Sequence, residues 1–240
     1  MARLGIEGVT VKFGGNIAVD DATLSAESGL VTAVIGPNGA GKTTLFNVIN
    51  GLLSPNTGRV TLDDRNLTRL APHRRARLGL ARTFQRLELF SALTVYENVQ
   101  VATDIRRGWH RMTGSHDEVT EIIERVGLTD RARDRVDQLP TGQARLVELA
   151  RALATQPKVL LLDEPASGLD TNESATFGNL LRQLAADGMT VLLVEHDVHL
   201  VMDVSDHIHV LDFGKVIAAG NPDEIRRNEA VLDAYLGAKT

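Results

Sequence analysis

The sequence of 240 residues contains no cysteine, few aromatic residues and no long apolar run. The absence of cysteine excludes disulfide bonds and thiolate metal sites. Aromatic residues make up 4% of the chain, so few positions can stack against a planar ligand. No apolar stretch approaches the ~18 residues that a membrane-spanning helix needs, and residues 1–5 show no signal-peptide core. We therefore expect a cytoplasmic protein that does not cross a bilayer by itself.

The composition is that of a globular protein. Hydrophobic residues make up 43% and charged residues 24% of the sequence, which is enough to bury a core. The formal net charge is −5, which argues against nucleic acid as the main partner. The length allows one large domain, or a domain with an inserted lobe.

A glycine-rich motif occupies residues 36–43, which read Gly-Pro-Asn-Gly-Ala-Gly-Lys-Thr and fit the phosphate-loop pattern G-x-x-x-x-G-K-[ST]. A β-prone run at 30–35 precedes it and a helical run at 43–50 follows it. Glycines in such a loop let backbone N–H groups turn towards phosphate oxygens. We expect Lys42 to neutralise the β- and γ-phosphates and the Thr43 hydroxyl to bind Mg²⁺. The alternative is a glycine-rich turn with an incidental lysine, which the flanking strand and helix disfavour.

The apolar pattern predicts two kinds of sheet. Residues 4–13 and 17–26 alternate apolar and polar side chains on either side of Gly14-Gly15, which predicts an antiparallel pair. Beyond residue 155, strands are expected at 159–163, 190–195 and 207–212. Because helical segments separate them, these strands predict βαβ units and a parallel sheet covered on both faces.

The composition changes between residues 71 and 137, where arginine is dense and helical periodicity dominates. Helices are expected at Thr94–Ile105, His116–Val126 and Thr141–Thr155. We predict an α/β fold whose core is built from residues 1–86 and 156–240. A helical lobe, residues 87–155, is inserted into that core.

Two acids, Asp163 and Glu164, directly follow the apolar strand 159–162. Ligands bind beyond the carboxyl ends of parallel strands, so both acids are expected beside the glycine-rich loop. Asp163 is a candidate Mg²⁺ ligand, because Mg²⁺ keeps most of its waters and takes few carboxylates. Glu164 is the candidate that polarises an attacking water. A solvated Asp-Glu pair is the alternative, and the upstream loop makes it the weaker one.

Two other polar residues follow predicted strands. Gln85 follows residues 80–84, and its amide can bind Mg²⁺ or water. His196 follows residues 190–195, where it can donate to a γ-phosphate and orient the water held by Glu164. Their positions, more than their residue types, make them candidates.

These motifs, in this order, resemble the nucleotide-binding subunits of ATP-binding-cassette transporters over residues 4–238. The matching motifs are 36–44 (Walker A), Gln85 (Q-loop), 139–143 (signature loop), 160–165 (Walker B), 167–170 (D-loop) and His196 (switch histidine). The resemblance implies a P-loop NTPase core with a mainly parallel sheet, an N-terminal antiparallel β subdomain and an inserted helical subdomain. It also implies an ATPase that uses ATP and Mg²⁺.

The resemblance further implies a head-to-tail pair of chains, with each ATP held between Walker A of one chain and the signature loop of the other. The implied catalytic residues are Lys42, Gln85, Glu164 and His196, and the implied metal ligands are Thr43, Gln85 and Asp163. The implied ATP contacts are Phe13, Asn38, Gly39, Ala40, Gly41, Lys42, Thr43, Thr44, Thr141, Gly142, Gln143 and Asp170. Two of these have alternatives: Phe13 as a core residue at a strand end, and Asp170 as a helix cap with capping-box spacing.

The signature loop departs from the family's usual Leu-Ser-Gly-Gly-Gln. Pro140 replaces the serine and Thr141 replaces the first glycine. Proline has no N–H and no hydroxyl, so Pro140 cannot donate to a phosphate. We expect the Thr141 hydroxyl to compensate; the alternative is a weakened site.

Within the family, the chain resembles the branch that takes up branched-chain amino acids. This rests on residues 11–19, on the unusual signature loop, and on 221–225 followed by 234–237. It implies a second ATPase subunit, identical or related, transmembrane permease subunits, and indirectly a substrate-binding protein. The expected location is the cytoplasmic face of the cell membrane. The alternatives are another importer or exporter, a soluble non-transport cassette ATPase, and a P-loop kinase.

An arginine-rich stretch surrounds and follows Gln85. Its basic residues are His73, Arg74, Arg75, Arg77, Arg82, Arg86, Arg106, Arg107, His110 and Arg111. A basic face would suit the membrane subunit or anionic lipid headgroups; the alternative is a solvated helix surface. Residues 88–90 mix charge with apolar anchors and are the better candidates for a docking groove.

Overall fold

The structure is a computed structural model that describes residues 2–110 and 117–236. Its strands are β1 (Leu4–Phe13), β2 (Asn16–Ala26), β3 (Val31–Ile35), β4 (Thr57–Leu62), β5 (Arg65–Asn66), β6 (Leu80–Arg82), β7 (Val159–Asp163), β8 (Thr190–Val194), β9 (His207–Asp212) and β10 (Lys215–Gly220). Its α-helices are α1 (Lys42–Asn50), α2 (Pro72–Arg77), α3 (Val95–His110), α4 (Asp117–Arg125), α5 (Thr141–Leu153), α6 (Thr171–Ala186), α7 (Val198–Val204), α8 (Pro222–Arg226) and α9 (Glu229–Leu236).

Within the described residues, the strands form two sheets. A four-stranded antiparallel sheet has the order β2-β1-β4-β5. A six-stranded sheet has the order β10-β9-β3-β8-β7-β6, in which only β10 runs antiparallel to its neighbour. The expected fold class, an α/β core with a mainly parallel sheet and an N-terminal antiparallel sheet, is confirmed.

The central strands are mostly apolar, as expected for a sheet that is buried on both faces. Val31 and Ala33 of β3 enter the same hydrophobic cluster as α5, α6 and α7. Val34 points the other way, into a second cluster with Phe46 of α1 and Val60 of the antiparallel sheet. The parallel sheet is therefore packed between two layers, and its carboxyl edge is fixed from both sides.

Helices α3, α4 and α5 all lie between residues 87 and 155 and pack around Val99, Val119 and Val147. Helix α3 runs to His110, beyond the expected end at Ile105. The expected start of the next helix at His116 lies outside the described residues, as does Gly237 of the C-terminal motif. No helix in the described ranges is long and apolar enough to cross a membrane.

The prediction of a basic surface is wrong for three of these arginines, because their side chains are buried. Arg75 donates to the carbonyls of Val48 and Ile49 at 2.7 Å each, so it satisfies the C-terminal end of α1. Arg82 pairs with Asp163, and Arg106 pairs with Glu118. Buried guanidinium groups with fixed partners cannot contact a membrane. Arg111 and the side chain of His110 lie outside the described residues.

Candidate functional site

The glycine-rich loop connects β3 to α1 and requires glycine at two places. Gly41 caps α1 with φ 105°, and a Cβ there would collide with the carbonyl of Ala18. Gly36 has φ 153°, and a Cβ there would collide with the carbonyl of Leu211. A side chain at either place would clash with the neighbouring backbone, so the loop keeps this path only with glycine.

Lys42, the first residue of α1, folds its side chain back into this loop. Its Nζ donates to the carbonyl oxygens of Gly36 at 2.6 Å and Pro37 at 3.0 Å. Burial lowers the pKa of Lys42, while the carboxylates of Glu164 and Asp163 act in the opposite direction and raise it. The ammonium group therefore lies at the centre of the loop, within electrostatic range of both acids.

Both acids occupy the carboxyl end of β7, beside the loop, as the sequence predicts. Asp163 is buried, whereas Glu164 is partly exposed. Glu164 has φ 47°, a left-handed conformation that is uncommon for a residue with a side chain. Its N–H donates to the carbonyl of Val194 at 2.9 Å, which fixes the end of β7 against β8. Such local strain persists where the surrounding structure imposes it.

Gln85 and His196 both face Glu164. The Gln85 Nε2 donates to Glu164 Oε2 at 2.7 Å. His196 Nδ1 lies 3.9 Å from the same oxygen, too far for a hydrogen bond but close enough for a small rotation to form one. The His196 ring is exposed on the protein surface. The structure thus brings Lys42, Gln85, Glu164 and His196 to one edge of the parallel sheet.

Sequence reasoning missed Glu195, which supports His196. Glu195 is fully buried and accepts hydrogen bonds from the backbone N–H groups of Ala166 at 2.8 Å and His196 at 3.0 Å. Burial raises the pKa of Glu195, and these N–H groups lower it. The carboxylate joins the segment after β7 to the segment after β8. Its place at the end of a buried strand was the available signal, since a buried glutamate needs a specific partner.

Asn38, Gly39 and Thr43 of the loop are exposed, Gly41 and Thr44 are partly exposed, and Ala40 is buried. The loop amides, the Thr43 hydroxyl, the Asp163 carboxylate and the Gln85 amide form a set of N–H donors and oxygen ligands. Such a set fits a nucleotide phosphate and the oxygen-preferring Mg²⁺. The fit rests on the glycine cradle, which side chains at Gly36 and Gly41 would fill.

The signature loop lies on the helical lobe, against the D-loop. Thr141 begins α5 after Pro140 and is exposed, and its methyl carbon would lie 3.2 Å from a Cβ at Gly168. Gly142 is buried against the carboxylate of Glu173. The Gln143 Oε1 atom is buried and finds no hydrogen-bond partner among the described residues. The first helical bond of α5 runs from Ala144 to Pro140, so the preceding N–H groups are free of intrahelical acceptors.

The structure bears on the alternatives for Asp170 and Phe13. Asp170 caps α6: its Oδ1 accepts from Glu173 N–H at 2.8 Å, and its own N–H donates to Glu173 Oε2 at 3.0 Å. This is the capping box that the spacing indicates. Phe13 lies at the end of β1 and is 53% exposed. It is therefore not a core residue, which removes the alternative raised by its sequence position.

Two family models match separate parts of the chain. A family model described as ABC transporter matches residues 19–167. A second, described as branched-chain amino acid ATP-binding cassette transporter, matches residues 215–239. The high-affinity branched-chain amino acid transport ATP-binding proteins BraF of Pseudomonas aeruginosa and LivG of Salmonella typhimurium are 40% and 39% identical to the chain. Each alignment covers 98% of this chain and 97% of the relative.

A further relative has a different transport task. The lipopolysaccharide export system ATP-binding protein LptB of Haemophilus influenzae is 34% identical over 99% of this chain and 98% of its own.

Solved structures share the whole fold. The ADP conformation of MJ1267, described as an ATP-binding cassette of an ABC transporter, superposes with a TM-score of 0.89. The two chains are 32% identical, and the match covers 99% of each. A dimeric post-hydrolysis state of the ATP-binding cassette MJ0796, bound to ADP and Pi, superposes with a TM-score of 0.80 at 28% identity. That match covers 91% of this chain and 98% of MJ0796. With a phosphate loop, paired acids and a helical lobe in this arrangement, the chain belongs to the ABC transporter family, as one of its ATP-binding cassettes.

Proposed function

We propose that the chain binds ATP with Mg²⁺ and hydrolyses it to power the uptake of branched-chain amino acids. Two similarities support this substrate class. The relatives BraF and LivG serve branched-chain amino acid transport, and the C-terminal residues 215–239 match the branched-chain amino acid cassette model. The chain itself contacts nucleotide, and permease subunits contact the amino acid.

One observation carries the proposed chemistry: Gln85 Nε2 lies 2.7 Å from Glu164 Oε2, at the sheet edge that holds Lys42. In the proposed roles, Glu164 accepts the proton of the attacking water and His196 donates to the γ-phosphate. Lys42 has three N–H donors, of which the loop carbonyls use two. The remaining donor is available to a phosphate oxygen. Phe13 stacks on the adenine.

Mg²⁺ is proposed to bind through Thr43, Gln85 and Asp163, together with the phosphates. When bound, it neutralises phosphate charge. The four groups Asn38, Gly39, Ala40 and Gly41 contribute loop contacts to the phosphates, and Thr44 contributes its hydroxyl. These assignments come from the family resemblance, and the loop path described above supports them.

A head-to-tail pair with a second ATPase subunit, identical or related, is proposed to complete the site. Thr141, Gly142, Gln143 and Asp170 would then contact ATP held by the other subunit. Thr141, the exposed first residue of α5, supports this, because helix N-termini attract phosphate. The dimeric form of the MJ0796 cassette, bound to ADP and Pi, is a further support.

We also propose that residues 1–86 and 156–240 act as one α/β body and residues 87–155 as a helical lobe. Permease subunits would dock in the groove between them, at the cytoplasmic face of the membrane. This groove has a volume of about 380 Å³ and is lined by Phe84, Glu88, Ile105, Trp109 and Arg151. Its exposed apolar rings and charged rim suit an amphipathic helix. A substrate-binding protein would act through the permease.

Replacing Glu164 by Gln tests the catalytic proposal. The amide keeps the shape of the side chain but cannot accept the proton, so ATP hydrolysis should fall by about a hundredfold or more. ATP binding should persist. The matched control is Glu124→Gln, an exposed glutamate of α4 outside the site, which should leave hydrolysis unchanged. If Glu164→Gln turned over ATP at the parent rate, the proposed role of Glu164 would be wrong.

The transport proposal is tested on the intact assembly purified from membranes. Leucine, isoleucine or valine, presented with the binding protein, should stimulate ATP hydrolysis. Stimulation by lipopolysaccharide instead would favour an export role like that of LptB, which is the second candidate because of its 34% identity. Phe90→Ala in the same assembly should lower transport per ATP hydrolysed, since Phe90 is exposed and its ring contacts Arg151, which lines the groove.

A further inference from the structure

Helix α5 holds the backbone of the Q-loop through charged side chains. Glu148 Oε1 accepts from the N–H of Phe84 at 3.1 Å. Arg145 donates to the carbonyl oxygens of Phe84 at 3.0 Å and Gln85 at 2.6 Å. One turn further along, Arg151 donates to the carbonyl of Glu88. Three side chains of α5, spaced three residues apart, therefore contact the segment 84–88.

Arg145 and Glu148 also contact each other, with Arg145 Nη1 lying 3.1 Å from Glu148 Oε2. Their side chains are only 6% and 7% exposed. Burial raises the pKa of Glu148, while the Phe84 amide and Arg145 lower it. A buried pair of this kind is retained only with good geometry, because the desolvation of both charges is unfavourable. The Q-loop backbone supplies further partners to both groups, while the buried Nε of Arg145 finds none among the described residues.

The other end of α5 carries the signature loop. Thr141 lies against Gly168, and Gly142 lies against Glu173, so the start of the helix contacts the D-loop segment and α6. Arg145 is four residues from Thr141, which is about one turn of helix, or roughly 6 Å along the axis. The guanidinium that holds the carbonyl of Gln85 therefore lies about one helical turn from the signature loop.

Gln85 in turn reaches the catalytic carboxylate. Its backbone oxygen accepts from Arg145, and its side-chain Nε2 donates to Glu164 at 2.7 Å. The chain of contacts from the signature loop to Glu164 is therefore continuous: α5, Arg145, Gln85, Glu164. Each link is a hydrogen bond or a rigid helical turn.

We propose that Arg145 and Glu148 are positioning residues that hold the Q-loop backbone so that the Gln85 amide reaches Glu164. The buried pair fixes the N–H of Phe84 and the carbonyl oxygens of Phe84 and Gln85. This contact keeps the Gln85 Nε2 at the Glu164 carboxylate of the same chain. The inference rests on the proposed roles of Gln85 and Glu164.

The side-chain chemistry makes the proposal specific to arginine. The planar guanidinium donates in two directions at once, to Phe84 and to Gln85, while it pairs with Glu148. A lysine keeps the charge and the pairing with Glu148, but its single nitrogen cannot hold both carbonyl groups in the same geometry. Arg145→Lys therefore weakens the contact to the Q-loop while it preserves the buried charge balance.

The test compares Arg145→Lys with a matched control, Arg106→Lys. Arg106 is a similarly buried arginine of the same lobe, and its partner Glu118 does not contact segment 84–88. In the intact assembly, Arg145→Lys should lower kcat by about tenfold, the equivalent of one lost hydrogen bond to a charged group. The KM for ATP should stay unchanged. The control, Arg106→Lys, should change neither the kcat nor the KM for ATP.

A double-mutant cycle separates coupling from general damage. Gln85→Ala should lower kcat in the parent but have little further effect in the Arg145→Lys background, because both changes break the same chain of contacts. If the two effects multiply independently, the proposal is overturned. If Gln85→Ala and Glu164→Gln are both without effect in the parent, the proposed function fails instead, and the two failures are distinguishable.

Hydrogen exchange gives a readout that needs no activity. In Arg145→Lys, the amides of residues 84–88 should exchange faster than in the parent, while those of α3 keep the parent rate. Where Arg145→Lys does not fold, Glu148→Gln is the second variant. It keeps an acceptor for the Phe84 N–H but leaves Arg145 without its carboxylate, and it should show the same local change. Unchanged exchange in 84–88 in either folded variant contradicts the proposal.

Discussion

Arg82 donates a hydrogen bond to Asp163 across 2.6 Å, and the two side chains are only 5% and 6% exposed. The second terminal nitrogen of Arg82 donates to Asn47 of α1 at 2.8 Å. Arg82, the last residue of β6, thus links β6 to the carboxyl end of β7 and to the helix that follows the glycine-rich loop. The carboxylate proposed to bind Mg²⁺ is already balanced by a buried cation of the same chain.

Arg82→Met should make Mg²⁺ bind more tightly in the presence of ATP, because Asp163 loses its competing cation. The same change should lower the stability of the nucleotide-free protein by about 3–5 kcal/mol, since it leaves a buried charge unpaired. Thermal unfolding without nucleotide measures the loss of stability, and thermal unfolding in a titration of MgCl₂ with ATP present measures Mg²⁺ binding. The control is Arg59→Met, whose exposed pair with Glu7 contributes at most about 1 kcal/mol. A Mg²⁺ dependence equal to that of the parent would argue against Asp163 as a ligand.

Phe13→Ala should weaken ATP binding by about tenfold, because base stacking on an aromatic ring is worth ~1–3 kcal/mol. Phe90→Ala is a matched control, since Phe90 is 46% exposed and its ring contacts the guanidinium of Arg151 on α5. Isothermal titration with ATP measures both. Equal affinities for ATP in the two variants would remove the adenine-stacking role of Phe13.

Arg75→Met should destabilise the fold by about 3 kcal/mol or more, because it leaves several buried carbonyl groups without donors. Arg75 donates to Val48 and Ile49 at the end of α1, and to Leu70 and Thr68. Burial lowers the pKa of Arg75 to about 10, so the guanidinium is still charged at neutral pH. Urea unfolding measures the loss. Arg74→Met, at the exposed neighbouring position, should change stability by less than about 0.5 kcal/mol.

His209 should make the fold less stable in mild acid. Burial, followed by the neighbouring His207, lowers the pKa of His209 to about 4, whereas an unfolded histidine titrates near 6.5. Below about pH 6.5 the unfolded state therefore binds a proton that the folded state does not, and stability falls towards about pH 4. Between about pH 7 and about pH 5 the parent should lose about 2 kcal/mol more than His209→Gln. Equal slopes of stability against pH in the two proteins would contradict this assignment.

The fold was predictable from the sequence because strand and loop signals are local. The apolar runs of β3, β7 and β8 are short and nearly continuous, which is typical of buried parallel strands, and each is buried on both faces as expected. The capping box at Asp170 and the phosphate loop were readable for the same reason. Helix ends were less predictable: α3 runs five residues past Ile105 to His110, since no proline or glycine stops it at Ile105.

The supporting charges of the site were not predictable, because their partners are distant in sequence. Arg82 belonged to a dense basic stretch and was interpreted as surface, yet its partner Asp163 lies 81 residues away. Arg145 and Phe84 are 61 residues apart. Only the packing of β6 beside β7, and of α5 beneath the Q-loop, brings these groups together. A charged residue in a basic stretch carries no local sign that it is buried.

The most direct test of the account is the mass of the Glu164→Gln protein in solution with and without ATP, measured by light scattering. With hydrolysis blocked, ATP should hold two cassettes together, so the mass should double on addition of ATP. It should stay that of one chain without nucleotide, or in the Glu164→Gln, Lys42→Ala double variant. A parent protein that hydrolyses ATP at its full rate as a single chain, with no doubled species in Glu164→Gln, would contradict the account.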